Sequence, residues 1–128
     1  MLGDFAFKTI SELSAGLEEK QFSATELLDD VIKRFEPLEA KLNMFATLDL
    51  EGAKADAKAS EARQMRGERM SMLDGIPTSI KDLIAQKGLP QQFGSRTMPS
   101  TPCPVDAPSV ERLRAAGAVF LGLSLIHI

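Results

Sequence analysis

The second half of the chain places two short apolar runs around one helical segment, and this order limits the fold more than any other feature. Residues 78–81 form a β-prone run that predicts a strand, and residues 118–121 predict another. Between them, residues 106–117 predict a helix, because Asp106 suits an N-cap and Pro108 suits the first turn. Strand, helix and strand in this order predict two parallel strands joined by a right-handed crossover. The expected fold class is therefore α/β.

The first half of the chain predicts helices. Residues 9–12 and 23–26 both have the form of a capping box, a hydroxyl residue followed three positions later by glutamate. Apolar residues recur at helical spacing after the second box, and Pro37 is expected to end that helix. Residues 51–66 are rich in alanine and stop at Gly67, which predicts a third helix with a glycine cap.

Two further features of the first half of the chain are given no role in binding or catalysis. Residues 42–48 form either a short extended piece or a turn of helix, and the pattern does not decide between them. Lys54, Arg63, Arg66 and Arg69 are typical of a solvated face, so no phosphate site is assigned to them.

Composition limits the classes of protein and site. The 128 residues are 44% hydrophobic and 26% charged with a mean hydropathy of −0.06, as in soluble globular domains. A net charge of −3 gives no support for nucleic-acid binding. Cys103 is the single cysteine, which excludes an internal disulfide, and His127 is the single histidine, which excludes a histidine-based nucleophile site in the main body. We expect no cofactor and no metal.

Location follows from what the sequence lacks. No apolar run approaches the ~20 residues of a membrane-spanning helix. The N-terminus has neither the charged start nor the apolar stretch of a secretory signal. We therefore expect a cytoplasmic protein without membrane contact.

Lys81 stands at the end of the first predicted strand and is followed by an aspartate. Lysine is seldom placed on an apolar strand for structure alone, because desolvating its ammonium group costs free energy. Where a lysine is desolvated, its pKa falls and the neutral amine becomes a usable base. The alternative interpretation is a strand-end lysine whose head group reaches solvent. Ser79 would share its side of a strand with Lys81, a spacing that is common by chance.

The residues around Lys81 resemble the amidase signature family. The most specific match is the string Gly-Ile-Pro-x-x-Ile-Lys-Asp at residues 75–82. The resemblance runs from about residue 8 to residue 122 and is carried by further segments in the same order along the chain: residues 23–27, 42–46, 87–90, 93–96 and 106–119.

The resemblance implies a fold, a reaction and a set of residues. The family fold is an α/β/α sandwich with a mixed sheet, of which this chain would hold the N-terminal helices and a βαβ portion. Family members cleave carboxylic amides with a serine–serine–lysine triad, in which Lys81 matches the lysine that acts as base on the bridging serine. The pocket for a small-molecule amide would be lined by Phe93, Gly94, Ser95 and Arg96.

Both serines of the family's triad lie in a glycine- and serine-rich segment that has no counterpart in these 128 residues. We therefore expect residues 1–122 to be the N-terminal part of an amidase domain, inactive by itself. In the family the last strand leads into Gly-Lys-Thr-Asn, whereas here Gly122 is followed by leucine and serine. Residues 123–128 are accordingly expected to be a misread or non-native tail.

Three functions stay open at this point. A free-standing amidase is favoured, because residues 88–96 look more like those enzymes. Within the same family, the alternative is the glutamyl-tRNA(Gln) amidotransferase component that releases ammonia from glutamine and passes it to a partner protein. From another class, the chain would be a non-catalytic binding module that kept half of the fold. Whether a full-length parent forms a homo-oligomer is left open.

Overall fold

The computed structural model describes residues 5–125, which form four helices and three strands. The helices are α1 (Ile10–Glu18), α2 (Ala24–Leu42), α3 (Leu50–Arg66) and α4 (Pro108–Ala115). The strands are β1 (Phe45–Leu48), β2 (Pro77–Lys81) and β3 (Val119–Ser124). None of the helices in this part of the chain is long and apolar enough to cross a membrane.

Helices α1 and α2 begin at the two predicted capping boxes. The side chain of Thr9 accepts the backbone N–H of Glu12, and the Glu12 carboxylate accepts the backbone N–H of Thr9. Ser23 and Glu26 form the same pair of hydrogen bonds at the start of α2. Each box satisfies backbone donors that the first turn of a helix cannot use.

The expectation that Pro37 ends the second helix is wrong, since α2 continues through Pro37 to Leu42. Good helix formers follow the proline. The helix ends at Asn43, whose N–H still donates to the Glu39 carbonyl and whose left-handed backbone then turns the chain out of the helix. The Glu39 side chain then accepts the N–H groups of the next two residues and leads the chain into β1.

The stretch that the sequence left undecided, residues 42–48, contributes the short strand β1. Helix α3 follows at once, with Asp49 as its N-cap accepting the Gly52 N–H at 3.0 Å. It ends at Gly67 in the left-handed conformation, as predicted.

The three strands form one mixed sheet in the order β1-β3-β2. Strands β2 and β3 are parallel and are connected through α4, which confirms the predicted βαβ unit and the α/β class. Strand β1 pairs with the other side of β3 and runs antiparallel to it.

A bulge in β3 determines which side chains reach each face of the sheet. The register with β2 advances by one residue between the Thr78–Phe120 and Ile80–Leu123 pairs, beside Gly122. As a result Phe120 and Leu123 both pack on the α4 side.

Residues of β3 on the other side of the sheet pack against α2 and α3. Val119 and Leu121 belong to a core cluster with Leu28, Ile32 and Ala57. The sheet is therefore covered by helices on both faces, the layering expected of an α/β/α sandwich.

Helix α4 does not begin as the sequence predicted. Its N-cap is Ala107, whose side chain makes no capping hydrogen bond, and Pro108 occupies the first turn. The predicted cap, Asp106, instead accepts the guanidinium of Arg114 and the backbone N–H of Lys87. A cation from the last turn of the helix competes for this carboxylate, and the bidentate pair is the stronger interaction.

The boundary expected at residue 122 stays a prediction. Leu123 is fully buried, and Ser124 pairs with Lys81 at the end of β3. The Leu125 N–H donates to the Met44 carbonyl at 2.8 Å. The rest of the expected tail, residues 126–128, lies outside the described part of the chain.

Candidate active site

Lys81 is the last residue of β2, and its side chain is exposed. The preceding residue, Ile80, is buried in the α4 cluster and holds the strand end against the sheet. Ser79 is exposed as well and lies on the same side of the strand as Lys81. Across residues 5–125, however, no hydrogen bond joins a serine hydroxyl to the Lys81 amine.

Asp74 anchors the turn that leads into β2. Its side chain is wholly buried and accepts Nε and Nη2 of Arg63 at 2.9 and 2.7 Å, together with the Met70 N–H. The guanidinium of Arg69 donates to the Asp74 carbonyl and, across to α1, to the Ser14 carbonyl. Arg63 and Arg69 thus tie α3, the turn and α1 together.

The expectation that these arginines lie on a solvated face is therefore wrong for Arg63 and Arg69. The Arg69 side chain is 8% exposed, and that of Arg63 is mostly covered. Arginine retains its charge when buried and pairs with a carboxylate in two parallel hydrogen bonds, which local sequence does not reveal.

The same contacts act on the ionisation of Asp74. Burial raises the pKa of this carboxyl, but the hydrogen bonds from Arg63, Met70 and Ser60 outweigh burial and hold the pKa below its usual value. The pKa of Arg63 is raised by its hydrogen bond to the same carboxylate. Asp74 is therefore ionised in the folded protein at neutral pH.

Asp82 directly follows Lys81 and is buried at the end of β2. Its carboxylate accepts the backbone N–H of Gln92 at 3.1 Å and that of Gly94 at 3.4 Å. These contacts bring the loop with the predicted pocket residues to the end of the strand that carries Lys81.

A hollow of about 270 Å³ lies at this junction. Three of the predicted pocket residues, Gly94, Ser95 and Arg96, line it together with Asp82. The fourth, Phe93, is not part of the lining, and its ring is 47% exposed. The Ser95 hydroxyl is hydrogen-bonded to the Thr97 hydroxyl, and no base among residues 5–125 is hydrogen-bonded to it.

Sequence reasoning missed Asp82 as a residue that organises the site. The sequence shows Asp82 only as the residue after Lys81, and no local pattern indicates that its carboxylate accepts N–H groups ten and twelve residues further along the chain.

A larger hollow of about 490 Å³, lined mainly by apolar residues, lies near the start of β2 and away from Lys81. In residues 5–125, no group of three or more His, Cys, Asp or Glu side chains could hold a metal ion.

Comparison with known proteins extends this description. Residues 26–127 match the family model described as Amidase. A glutamyl-tRNA(Gln) amidotransferase subunit of Anaeromyxobacter dehalogenans is 44% identical over 113 residues, which cover 88% of this chain and 23% of that protein. The corresponding protein of Methylococcus capsulatus is 45% identical over 115 residues, covering 90% of this chain and 24% of its own length.

Solved structures agree. Native peptide amidase from Stenotrophomonas maltophilia superimposes with a TM-score of 0.87 at 28% identity, over 94% of this chain and 25% of that one. The chain thus spans about a quarter of the length of the proteins it matches. The family match, the shared fold and the Gly-Ile-Pro-x-x-Ile-Lys-Asp string agree, and the chain belongs to the amidase family, whose members carry the amidase signature.

Proposed function

We propose that the full-length parent, a protein of the relatives' length that contains this segment, hydrolyses carboxylic amides with Lys81 as the catalytic base. The observation that carries the proposal is the position of Lys81. Lys81 is the last residue of β2 and lies on the exposed side of the strand. The carboxylate of the next residue, Asp82, anchors the loop that forms the wall of the 270 Å³ hollow. Family membership supplies the reaction class.

The proposed reaction proceeds through an acyl-enzyme. Lys81 would act as the base that takes a proton from a bridging serine, which in turn accepts the proton of a nucleophilic serine. The nucleophile attacks the amide carbonyl, and the C–N bond breaks as the leaving amine takes up a proton. Water then releases the carboxylic acid. Both serines would come from parts of the parent beyond this segment, so the segment alone is expected to be inactive.

The remaining attributes belong to the same proposal. The ligand is a small-molecule amide, and no cofactor takes part in the chemistry. The location is cytoplasmic, and neither nucleic acid nor a membrane is contacted directly.

The substitution Lys81→Ala in the full-length parent tests the role of Lys81. Loss of a general base is expected to lower kcat by about 10²–10⁴-fold, with little change in the melting temperature because Lys81 is not a core residue of the described segment. Lys87→Ala is the matched control, since Lys87 is an exposed lysine in the loop that follows. Near-normal turnover in the Lys81 variant would exclude Lys81 as the catalytic base.

A second candidate is the ammonia-releasing component of a glutamyl-tRNA(Gln) amidotransferase. The two relatives named above are described as parts of that enzyme and are 44% and 45% identical, whereas the superimposed peptide amidase is 28% identical. The stretch at residues 88–96 still favours a free-standing amidase.

Ammonia release by the full-length parent distinguishes the two candidates. A free-standing amidase should release ammonia from simple carboxylic amides when assayed alone. An amidotransferase component should prefer glutamine and depend on added partner proteins. Activity on simple amides without any partner would reject the second candidate, and strict dependence on partners would reject the first.

A further inference from the structure

The Asp82 carboxylate is held in a defined place. The side chain is 1% exposed, and the backbone N–H of Asp82 donates to the Ser124 carbonyl at 3.0 Å. This bond ties the residue after Lys81 to the end of β3, the central strand. The backbone that carries the buried carboxylate is therefore bound to the sheet.

The carboxylate depends on backbone donors. None of the ion pairs formed among residues 5–125 includes Asp82. A buried carboxylate has to be compensated by hydrogen bonds, because desolvation of its charge is otherwise very costly. The N–H groups of Gln92 and Gly94 supply that compensation, one to each carboxylate oxygen.

Phe93, which lies between these two donors, has a backbone conformation that needs an explanation. Its φ is +53°, in the left-handed region that costs a non-glycine residue about 1–2 kcal/mol. The ring is half exposed, so packing does not account for the conformation. A left-handed residue does turn the N–H groups on either side of it towards one anion, here the Asp82 carboxylate.

We propose that Asp82 is a positioning residue that sets the Gly94–Arg96 wall of the hollow relative to Lys81. The base would stand at the last residue of β2, and the anchor of the substrate pocket at the next residue along the chain, whose N–H is bonded to the end of β3. The position of the pocket wall relative to the backbone of Lys81 would then be determined by the sheet and not by the loop alone. This inference rests on the proposed function only in treating Lys81 as the base.

Hydrogen exchange in the full-length parent measures the anchoring directly. Asp82→Asn keeps the shape of the side chain, but its NH2 group faces one of the two N–H donors. We expect the amides of Gln92 and Gly94 to exchange about tenfold faster or more, since hydrogen bonds to a charged acceptor are lost. The control is Asp106→Asn, which removes a carboxylate that accepts a backbone N–H at the other end of the same loop. Unchanged exchange in the Asp82 variant would overturn the proposal.

Kinetics separate positioning from a general loss of structure. Asp82→Asn is expected to raise KM for amide substrates by about tenfold with a much smaller effect on kcat, whose pH dependence should remain that of the unchanged protein. Asp106→Asn should leave both constants unchanged. Unaltered KM in the Asp82 variant would count against a role in the pocket.

A second pair of variants acts from the exposed side of the loop and does not disturb a buried charge. Valine strongly disfavours the left-handed conformation, whereas asparagine tolerates it. Phe93→Val should therefore accelerate exchange at Gln92 and Gly94, and Phe93→Asn should preserve protection although it also removes the ring. Equal exchange in the two variants would contradict the proposed coupling, even if Asp82→Asn did not fold.

The exchange measurements need no catalytic activity. If Lys81→Ala retained turnover, the proposed function would fail, and the anchoring by Asp82 would still be decided by exchange. The two proposals can therefore fail separately.

Discussion

Asp74 and Asp82 enclose β2, one before the strand and one after it, and both carboxylates are buried. Each is satisfied in a different way. Asp74 binds a guanidinium together with a backbone N–H, whereas Asp82 binds backbone N–H groups of a loop. The segment that carries Lys81 is thus held at both ends by side chains whose charge must be compensated on folding.

Acidification should weaken the anchor formed by Asp74. The pKa of this carboxyl in the folded protein lies below its ordinary value of 3.8. Its contribution to stability is therefore present above about pH 4 and is lost as the pH falls through the folded pKa. In urea unfolding of the full-length parent, Asp74→Asn should lower stability at pH 7 by about 1.5–3 kcal/mol and reduce the loss of stability below pH 4.

Glu51→Gln is the control for removal of a negative charge. Glu51 pairs with Lys54 on the surface of α3, and its side chain is 92% exposed. Exposed pairs of this kind contribute at most about 1 kcal/mol. If both substitutions had the same small effect at pH 7, the buried anchor would not stabilise the fold as proposed.

At the scale of the elements, the bulge of β3 depends on Gly122. Its φ of +142° favours glycine, and a Cβ at this position would collide with the Thr47 carbonyl oxygen of β1. Gly122→Ala is expected to push β1 away from β3. The free energy of unfolding of the full-length parent should then fall by more than the backbone strain of a positive φ alone would cause.

Gly67→Ala provides the reference value. Gly67 also has a positive φ, of +71°, but no atom of the described residues lies within 4 Å of the position that a Cβ would take. Its substitution should cost about 1–2 kcal/mol from the backbone term only. Urea midpoints of the two variants compare the effects, and equal losses would mean that the contact with Thr47 is unimportant.

Local sequence rules predicted the elements well where the controlling contacts are themselves local. Both capping boxes, the cap at Gly67 and the parallel pairing of β2 with β3 were predicted and are confirmed. The failed predictions for Arg63, Arg69 and Asp106 depend on partners outside the local pattern, whereas Pro37 is an exception to the rule that proline ends a helix. Arg63 and Arg69 are buried through contacts with Asp74 and α1. Asp106 binds Arg114 and therefore does not cap α4.

The candidate site, too, could be predicted from the sequence only in part. The position of Lys81 at a strand end followed from the motif, and the structure brings three of the four predicted pocket residues together at one hollow. The outward ring of Phe93 and the anchoring by Asp82 could not be predicted, because they depend on how the loop folds back onto β2.

At the scale of the whole molecule, the sheet has two edges with no partner among residues 5–125. These edges are β1 and β2. Large apolar side chains are exposed as well, among them Phe7 and Met72. Open edges and apolar surface favour association between chains.

The 128-residue chain purified alone is therefore expected to be marginally stable. Its thermal unfolding by circular dichroism should be broad, and it should bind a hydrophobic dye before melting. The full-length parent should show neither property. A sharp cooperative melt of a monomeric chain, checked by sedimentation, would contradict this expectation and would favour the non-catalytic binding module.

The central place of β3 also has a consequence for synthesis on the ribosome. Strands β1 and β2 each pair only with β3 in the described sheet, and β3 is the last of the three to be translated. Every contact between these strands therefore waits until β3 leaves the exit tunnel, while α2 and α3 can already pack together. Because the sheet joins segments distant in sequence, its closure should be the slow step of folding. Nascent chains shorter than this would be helical but without a sheet, and would depend most on chaperones at that stage.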